Sequence, residues 1–500
     1  MTVNLRHYFL GKSVMTTGQL LDELVGRGSS RANARQIISR RYSQDGLWRS
    51  DKLQLPRRER LIAPKEEVGS PKFQSCAAAL LSDCRPGIAR LLRALSSRRA
   101  VLRSHAAMLV AAPLAKRKRV PSFAEELEAL AELGVLLDGR DTSFERVLSG
   151  CLPGSDQSIA LGISLQSRRQ AEIALAKIVA AHLRRLGILS WGGVTVANPS
   201  PGYVPFNDLP FCATGYSWLK PLIRQGKSGK AAPTPMVFHV RATRCNQDDV
   251  SSLLDRVSRA GFNARTRLPI LAFIAAPDFD SRAWNQAKKN GFLAANLNDL
   301  FGNMGLEAMV AVEEIMKGIV GNPERLDPNA ISGLCTLLGE LKANPILADL
   351  RSLSLESVSG LILRSQCWED VQLGVTVPHR QTTRDVDVYG SRELGEVAKL
   401  IECKAAHAHK DLEPGDVHKF FTETVPAFLR STGRERNVQK CEAEIWTTGT
   451  VGRAAKDCMH AIECDHRVQT RLLDGAELVQ SVPDRLGRAK ELLRVISLAI

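Results

Sequence analysis

The 500-residue sequence predicts a multidomain α/β protein: a basic, helix-rich N-terminal quarter, then two α/β segments with the same order of elements. Three observations predict this class. The length exceeds what one ordinary hydrophobic core serves, so several domains are expected. Charge is uneven: residues 1–120 hold 24 Lys and Arg against 8 Asp and Glu, and the other 380 hold 44 against 45. Behind the basic quarter, helix-period segments alternate with short runs of period two, such as Asp385-Val386-Asp387-Val388 and Ile401-Glu402-Cys403-Lys404.

Composition narrows the class. A hydrophobic fraction of 44% with 24% charged residues fits a folded globular chain. No apolar run reaches the roughly 18 residues of a membrane span; the stretch from Ala106 to Leu114 is followed at once by Lys116-Arg117-Lys118-Arg119. The start MTVNLRHYFLGKS has no apolar signal core, so a cytoplasmic protein is expected. Eleven cysteines without a C-x-x-C pair fit a reducing compartment and exclude a disulfide or zinc framework. No G-x-x-x-x-G-K-[ST] loop is present, so no ATPase is expected.

Residues 1–70 read as a winged-helix DNA-binding domain. A helix from Thr17 to Arg27 carries Leu20, Leu21, Leu24 and Val25, and Gly28 ends it. Ser29 or Ser30 caps a second helix, Arg31 to Tyr42, with Ala34, Ile37 and Ile38 inward and Arg31, Arg35, Arg40 and Arg41 outward. Gly46-Leu47-Trp48, a basic turn through Lys52 and Arg57-Arg58, and Leu61-Ile62 form the wing. An arginine-rich second helix followed by a basic wing is how such domains meet double-stranded DNA, the expected partner. Residues 71–155 form a basic, mostly helical region with Ile88, Leu91, Leu92 and Leu95 on one stripe. With Phe123–Leu133 as the later helix, this region is compatible with a second winged helix.

Residues 156–305 repeat the element order of residues 350–500. The first copy runs from a helix (Arg169–Leu186) through VFHVRAT (237–243), a helix (Gln247–Ala260), a strand (Ile270–Ala275) and a helix (Ser281–Asn290) to Leu293–Leu297. The second runs from a helix (Leu355–Ser365) through LIECKAA (400–406), a helix (Asp416–Leu429), a strand (Glu444–Thr447) and a helix (Arg453–Ile462) to Val468–Leu473. Register sets His239 against Glu402 and Arg241 against Lys404, so the first copy keeps the scaffold without the acid. Residues 306–349 read as a helical connector with Leu306, Met309, Val310, Val312, Ile315 and Met316 as its buried stripe, and Pro323 and Pro328 as its joint.

In a strand, residues i and i+2 share a face, so Asp385 and Asp387 point one way, as do Glu402 and Lys404. Pairing the two strands would gather acids and an ammonium on one sheet face, the arrangement that holds a divalent cation beside a basic group. Glu-x-Lys alone says little, since Glu340-Leu341-Lys342 matches it inside a leucine-rich helix. His407 and His409 could touch phosphate or metal but read as solvated loop histidines, Lys419 could reach the DNA backbone or snorkel to solvent, and Cys458, His460, Cys464 and His466 lack a finger-like spacing.

On Glu356, Asp387 in DVDVYG, Glu402-Cys403-Lys404 in IECK and the strand–helix–strand from Glu444 to Leu473, residues 350–480 resemble the PD-(D/E)XK nuclease superfamily, and within it the Mrr-like restriction endonucleases. That resemblance implies an αβββαβ core cleaving DNA with Mg²⁺ or Mn²⁺. It implies Asp387 and Glu402 as metal ligands with the Cys403 backbone carbonyl, Lys404 as the residue that orients or deprotonates the water, and Glu356 as a helix acid completing the shell. No proline precedes the aspartate, and Asp385 remains an alternative to Asp387, which is favoured because aliphatic residues bracket it. The middle copy then reads as a degenerate restriction-endonuclease-like domain. The expected function is a Mg²⁺-dependent DNA endonuclease in restriction or defence, acting as a homodimer or with a partner subunit; the alternative is an inactive winged-helix regulator with nuclease-like sensor domains.

Overall fold

The computed structural model describes the chain except residues 1–3, 118–119, 138–146, 150–154, 191, 200, 220–223, 226–230, 264–265, 268, 322–327, 341–345, 381, 436–437 and 499–500. It divides into two compact units. Unit 1 comprises residues 1–162, 205–210 and 246–268; unit 2 comprises 163–204, 211–245 and 269–500. No described helix is long and apolar enough to cross a membrane.

Unit 1 opens with strand β1 (Met15–Thr16), helices α1 (Thr17–Gly26) and α2 (Arg31–Arg41), and strands β2 (Leu47–Gln54) and β3 (Arg60–Pro64). The strands form an antiparallel sheet in the order β1-β3-β2. Thr16 starts α1 with a capping box: its hydroxyl accepts from the Gln19 N–H at 3.1 Å, and the Gln19 side chain accepts from the Thr16 N–H at 2.9 Å. Ser30, rather than Ser29, caps α2. Leu20, Leu21, Leu24, Ala34 and Ile38 pack with Leu5, Phe9, Leu47 and Ile62. Val25, expected on that stripe, is exposed, because it falls at the margin of the face that Leu20, Leu21 and Leu24 bury.

Helices α3 (Pro71–Leu81) and α4 (Pro86–Arg98) follow, and the expected stripe Ile88, Leu91, Leu92 and Leu95 is fully buried. After them the first pattern returns: β4 (Ala100–Leu102), α5 (Arg103–Val110), α6 (Phe123–Glu132), β5 (Leu136–Leu137) and β6 (Val147–Ser149), in the order β4-β6-β5. Ser122 and Glu125 make the same capping box at α6. Helix still makes up most of the described residues of 71–155, as expected, and the three short strands are what the sequence did not predict. Strands of two or three residues are too short to show an alternation. Of the basic run, Lys116 pairs with Glu125 and Arg117 with Asp208, whereas Lys118 and Arg119 lie outside the described residues. The helix Gln247–Gly261 joins this unit through Arg90–Asp255 and Arg93–Asp248, both at 2.7 Å.

Unit 2 holds two five-stranded sheets of one design. The first begins with the long helix α7 (Ser155–Arg185), then β7 (Thr195–Val196), the hairpin β8 (Val204–Phe206) and β9 (Leu209–Phe211), β10 (Ala213–Ser217), the hairpin β11 (Arg224–Gln225) and β12 (Ala231–Ala232), and β13 (Thr234–Val240). From β13 the chain runs through α8 (Gln247–Gly261) and the hairpin β14 (Phe262–Asn263) and β15 (Thr266–Arg267), which belong to unit 1; β16 (Leu271–Ala276), α9 (Ser281–Lys289) and β17 (Leu293–Asn296) then complete the design. Its order is β17-β16-β13-β10-β7, with β7, β10 and β13 antiparallel and β13, β16 and β17 parallel.

The chain then passes through α10 (Leu297–Val320) and α11 (Pro328–Glu340) to the second design. That consists of α12 (Ile346–Ser365), β18 (Glu369–His379), β19 (Thr382–Arg392), β20 (Val397–Lys404), α13 (Pro414–Lys419), α14 (Val425–Glu435), β21 (Lys440–Thr447), α15 (Arg453–His460), β22 (Val468–Leu473), α16 (Gly475–Ser481) and α17 (Gly487–Leu498). Order β18-β19-β20-β21-β22 repeats the first sheet, again with three antiparallel strands followed by two parallel ones. Parallel pairing needs a crossover, which α13–α14 and α15 supply on the pattern of α8 and α9.

Three boundaries differ from expectation. Helix α12 starts nine residues before Leu355, because Ser354 and Ser357 donate to the Leu350 and Leu353 carbonyls at 2.6 Å and so sit in an otherwise apolar helix. The helix expected over 416–429 is present and longer, running from Pro414 to Glu435 with a π-turn at Phe420–Thr424 inside it. The segment expected as a connector contributes to the core: Val312, Ile315 and Met316 pack with Leu183, Leu353 and Trp368, while Val310 is exposed. Pro328 opens α11; Pro323, Leu341, Lys342 and the Leu306 and Met309 side chains lie outside the described residues.

Candidate active site

The acids meet where β19 and β20 run antiparallel. Val388 pairs with Ile401, which sets Asp387 beside Glu402 one step further along. Antiparallel neighbours share a face, so both carboxylates project from the same side of the sheet. One Asp387 oxygen accepts the Cys403 N–H at 2.7 Å, fixing the carboxylate against β20. Lys404 shares the face of Glu402 and pairs with it at 3.0 Å and with Asp416 of α13 at 3.3 Å. Glu356 reaches the same group of charges from α12, whose Ser359 hydroxyl meets the Cys403 thiol at 3.5 Å. Asp385 is set apart: it is exposed and accepts from the Thr376 hydroxyl at 2.7 Å.

Crowding of acids shows in their proton affinities. Burial, then the charge of Asp387, pushes Glu356 up to about 8, with Lys177 opposing. Burial and Asp387 likewise push Glu402 up to about 8 against the pull of Lys404. Asp387 is raised by burial, an effect that the Cys403 N–H, Lys177 and Lys404 only moderate. The amines respond the opposite way. Burial disfavours the Lys404 charge, but Glu402 and Asp416 outweigh it and raise the group. Lys177 is also raised, because Glu356, Asp385, Asp387 and Glu402 overcome its desolvation. A cluster with too few positive charges for its carboxylates retains protons near neutrality.

Among the described residues no three His, Cys, Asp or Glu side chains close round one point as a ready-made metal cage. His407 is half-buried and its Nδ1 accepts the His409 N–H at 3.3 Å. Cys458 donates to the Pro414 carbonyl, and Lys419 is exposed.

The sequence-predicted site residues thus fall into two groups. Asp387, Glu402, Cys403, Lys404 and Glu356 come together in unit 2. In unit 1, Arg31, Arg35 and Arg40 are exposed on α2, Arg41 is half-buried in its last turn, and Arg57 and Arg58 are exposed at the β2–β3 turn. Lys177 is the residue that sequence reasoning misses. It sits within Ala174-Leu175-Ala176-Lys177-Ile178-Val179, a run that reads as plain core helix and carries no motif.

In the first sheet of unit 2 the corresponding positions carry different chemistry. His239 of β13 is buried opposite Ile274, as Glu402 stands opposite Ile445. Arg241 pairs with Glu172 of α7 at 3.5 Å, and Arg169 pairs with the same acid at 3.0 Å. Burial favours the neutral Cys212 thiol, yet Arg169 and His239 bring it down to about 6. Two guanidiniums and an imidazole here face one carboxylate and a thiol inclined to ionise, unlike the carboxylate-rich β19–β20 site. Comparison of the chain with protein-family models, with curated proteins and with solved structures finds no match.

Proposed function

We propose that this protein is a Mg²⁺- or Mn²⁺-dependent DNA endonuclease whose active site is the β19–β20 cluster. The observation that carries this reading is the pairing of Asp387 and Glu402 on adjacent strands, with Lys404 ion-paired beside them. The donor chemistry fits the ion: Mg²⁺ takes hard oxygen ligands and keeps several waters, so two carboxylates and a backbone carbonyl suffice without a closed cage. Raised proton affinities at Glu402 and Asp387 support it further, since a divalent cation relieves the repulsion that a proton otherwise relieves.

Asp387 and Glu402 would hold the ion with the Cys403 carbonyl, and Glu356 would complete its shell. Such an ion would supply Lewis acidity to the phosphate and to a bound water. Lys404 is held by Glu402 and Asp416 as a charged donor, placed to orient that water and to meet charge developing on the phosphate. Unit 1 supplies affinity for double-stranded DNA through two winged-helix modules, a reading supported by their shared strand–helix–helix–hairpin order. The first sheet of unit 2 is a degenerate copy that keeps the strand order and carries His239 and Arg241 in place of Glu402 and Lys404. One such acid cluster among the described residues would cut one strand, so double-strand cleavage calls for a homodimer or a partner subunit. A role in restriction or defence in the cytoplasm follows from the same reading.

Relaxation of a supercoiled plasmid with Mg²⁺ tests the proposal. Lys404→Ala should lose about 100-fold or more in rate while DNA binding is kept. Equal inactivity of wild type and variant would favour a regulator with nuclease-like sensor domains. Competition with RNA or branched DNA would expose a different substrate.

A further inference from the structure

Lys177 belongs to α7, the opening helix of the first sheet in unit 2, yet its ammonium acts on the acids of the second. Its charge is felt by Glu356 most strongly, then by Asp385, Asp387 and Glu402. The side chain lies over Gly374 of β18, where an added Cβ would collide with its Nζ and Cε, and the pairs Leu373–Val388 and Val375–Val386 set Gly374 opposite Asp387. Gly374 itself sits at φ +65°, in the left-handed region, so bare backbone and unusual conformation coincide where the amine passes. Asn198, in the loop after β7, fastens this edge. Its amide donates to the Thr376 carbonyl at 3.0 Å and accepts the Thr376 N–H at 2.7 Å, two residues along β18 from Gly374. Arg184, seven residues on from Lys177 and hence on the same face of α7, adds positive charge that Asp385 feels.

The site is therefore composite: one half of unit 2 holds the acids, and the other lays a lysine over the strand next to them. We infer that Lys177 is the internal counter-ion of the β19–β20 acid cluster, competing by charge with a divalent cation for Asp387 and Glu402, so that the half of unit 2 without that acid pair sets the metal affinity of the other half. The inference rests on the metal-site reading proposed above. A lysine suits this role because a fixed ammonium on a flexible four-carbon stem can hold repelling carboxylates together and withdraw towards Glu356 when an ion enters. Lys177 is a positioning residue in this scheme, and Lys404 keeps its place beside the reacting atoms.

Mn²⁺ titration of the full chain by calorimetry, with electron paramagnetic resonance of the bound ion, tests this without any cleavage assay. Lys177→Met should tighten Mn²⁺ binding by roughly tenfold or more, because a cation a few ångströms from the site no longer repels it. Lys177→Arg keeps the charge and should stay near wild type. If Lys177→Met does not fold, Lys177→Gln, which keeps polarity and most of the length, carries the same comparison. Unchanged or weaker Mn²⁺ binding in the neutral variant overturns the inference. Asp387→Asn and Glu402→Gln separate the two claims. If both abolish Mn²⁺ binding while Lys177→Met leaves it unchanged, only the counter-ion role falls. If neither affects Mn²⁺ binding, the ion is not held by that pair, and the nuclease reading falls with the inference. Binding by Lys177→Met where wild type shows none would be the strongest support.

Discussion

The turn joining β2 to β3 carries a conformational cost that a double substitution should release. Leu55 N–H donates to the Glu59 carbonyl at 2.9 Å, closing Pro56-Arg57-Arg58-Glu59 into a tight turn. Its two central residues, Arg57 and Arg58, both sit at φ +61°. Hairpins of this kind favour Asn-Gly, because an L side chain in the left-handed region costs roughly 1–2 kcal/mol. Both arginine side chains are exposed, so their removal exposes no core. Arg57→Asn with Arg58→Gly should recover about 2–3 kcal/mol of strain. Greater freedom of glycine in the unfolded chain offsets about 1 kcal/mol of this. The net gain of about 1–2 kcal/mol corresponds to a rise of about 3–6 °C in the unit 1 transition by calorimetry. In the same variant DNA affinity should fall, and the slope of log affinity against log salt should drop by about 2, one counterion for each lost phosphate contact. A transition that stays put or falls would refute the strain argument. A thermal gain with unchanged DNA binding would refute the placement of this turn on the nucleic acid.

Other consequences are equally direct. Glu356 and Glu402, each raised from an ordinary value to about 8, bind more protons folded than unfolded between those limits. Their stabilising contribution is complete below the unfolded value and is lost as pH rises through about 8. Thermal stability in EDTA should therefore decline from about pH 5 to about pH 8.5, with Glu356→Gln flattening the slope; a rise across that window would contradict the assignment. Gly374→Ala should destabilise unit 2 by about 1–2 kcal/mol from backbone conformation alone, and more because the methyl meets Lys177; a neutral effect in denaturant titration would place the amine elsewhere. Asn198→Ala removes both bonds to Thr376 and should cost about 1–3 kcal/mol, with faster hydrogen exchange along β18; unaltered exchange would show that the loop does not brace that strand.

How much of this was legible in the sequence differs from residue to residue. Period-two alternation in Asp385-Val386-Asp387-Val388 and Ile401-Glu402-Cys403-Lys404 marks strands whose acids share faces, because the pleat alternates side chains regardless of what packs around them. Caps and stripes were equally readable, as at Ser30 and over Ile88–Leu95, since both are encoded within a few residues. The two- and three-residue strands β4, β5 and β6 were not, since pairing partners define them and no pattern fits in so short a span. Choosing between Asp385 and Asp387 also lay beyond the local pattern. Only the register of β19 against β20 brings Asp387 beside Glu402, and that of β18 against β19 sets Asp385 opposite Thr376.

By itself, then, the sequence determined the class of fold, the basic N-terminal quarter, the repeated order of elements and the strands that bear the acids. These follow from local periodicity and from where charge lies along the chain. Tertiary structure alone decided that Asp387 and Glu402 adjoin, that their crowding retains protons, and that Lys177 enters their cluster from α7. Positions 177 and 387 are brought together by packing between the two halves of unit 2, and electrostatic interaction depends on distance in space rather than on separation along the chain.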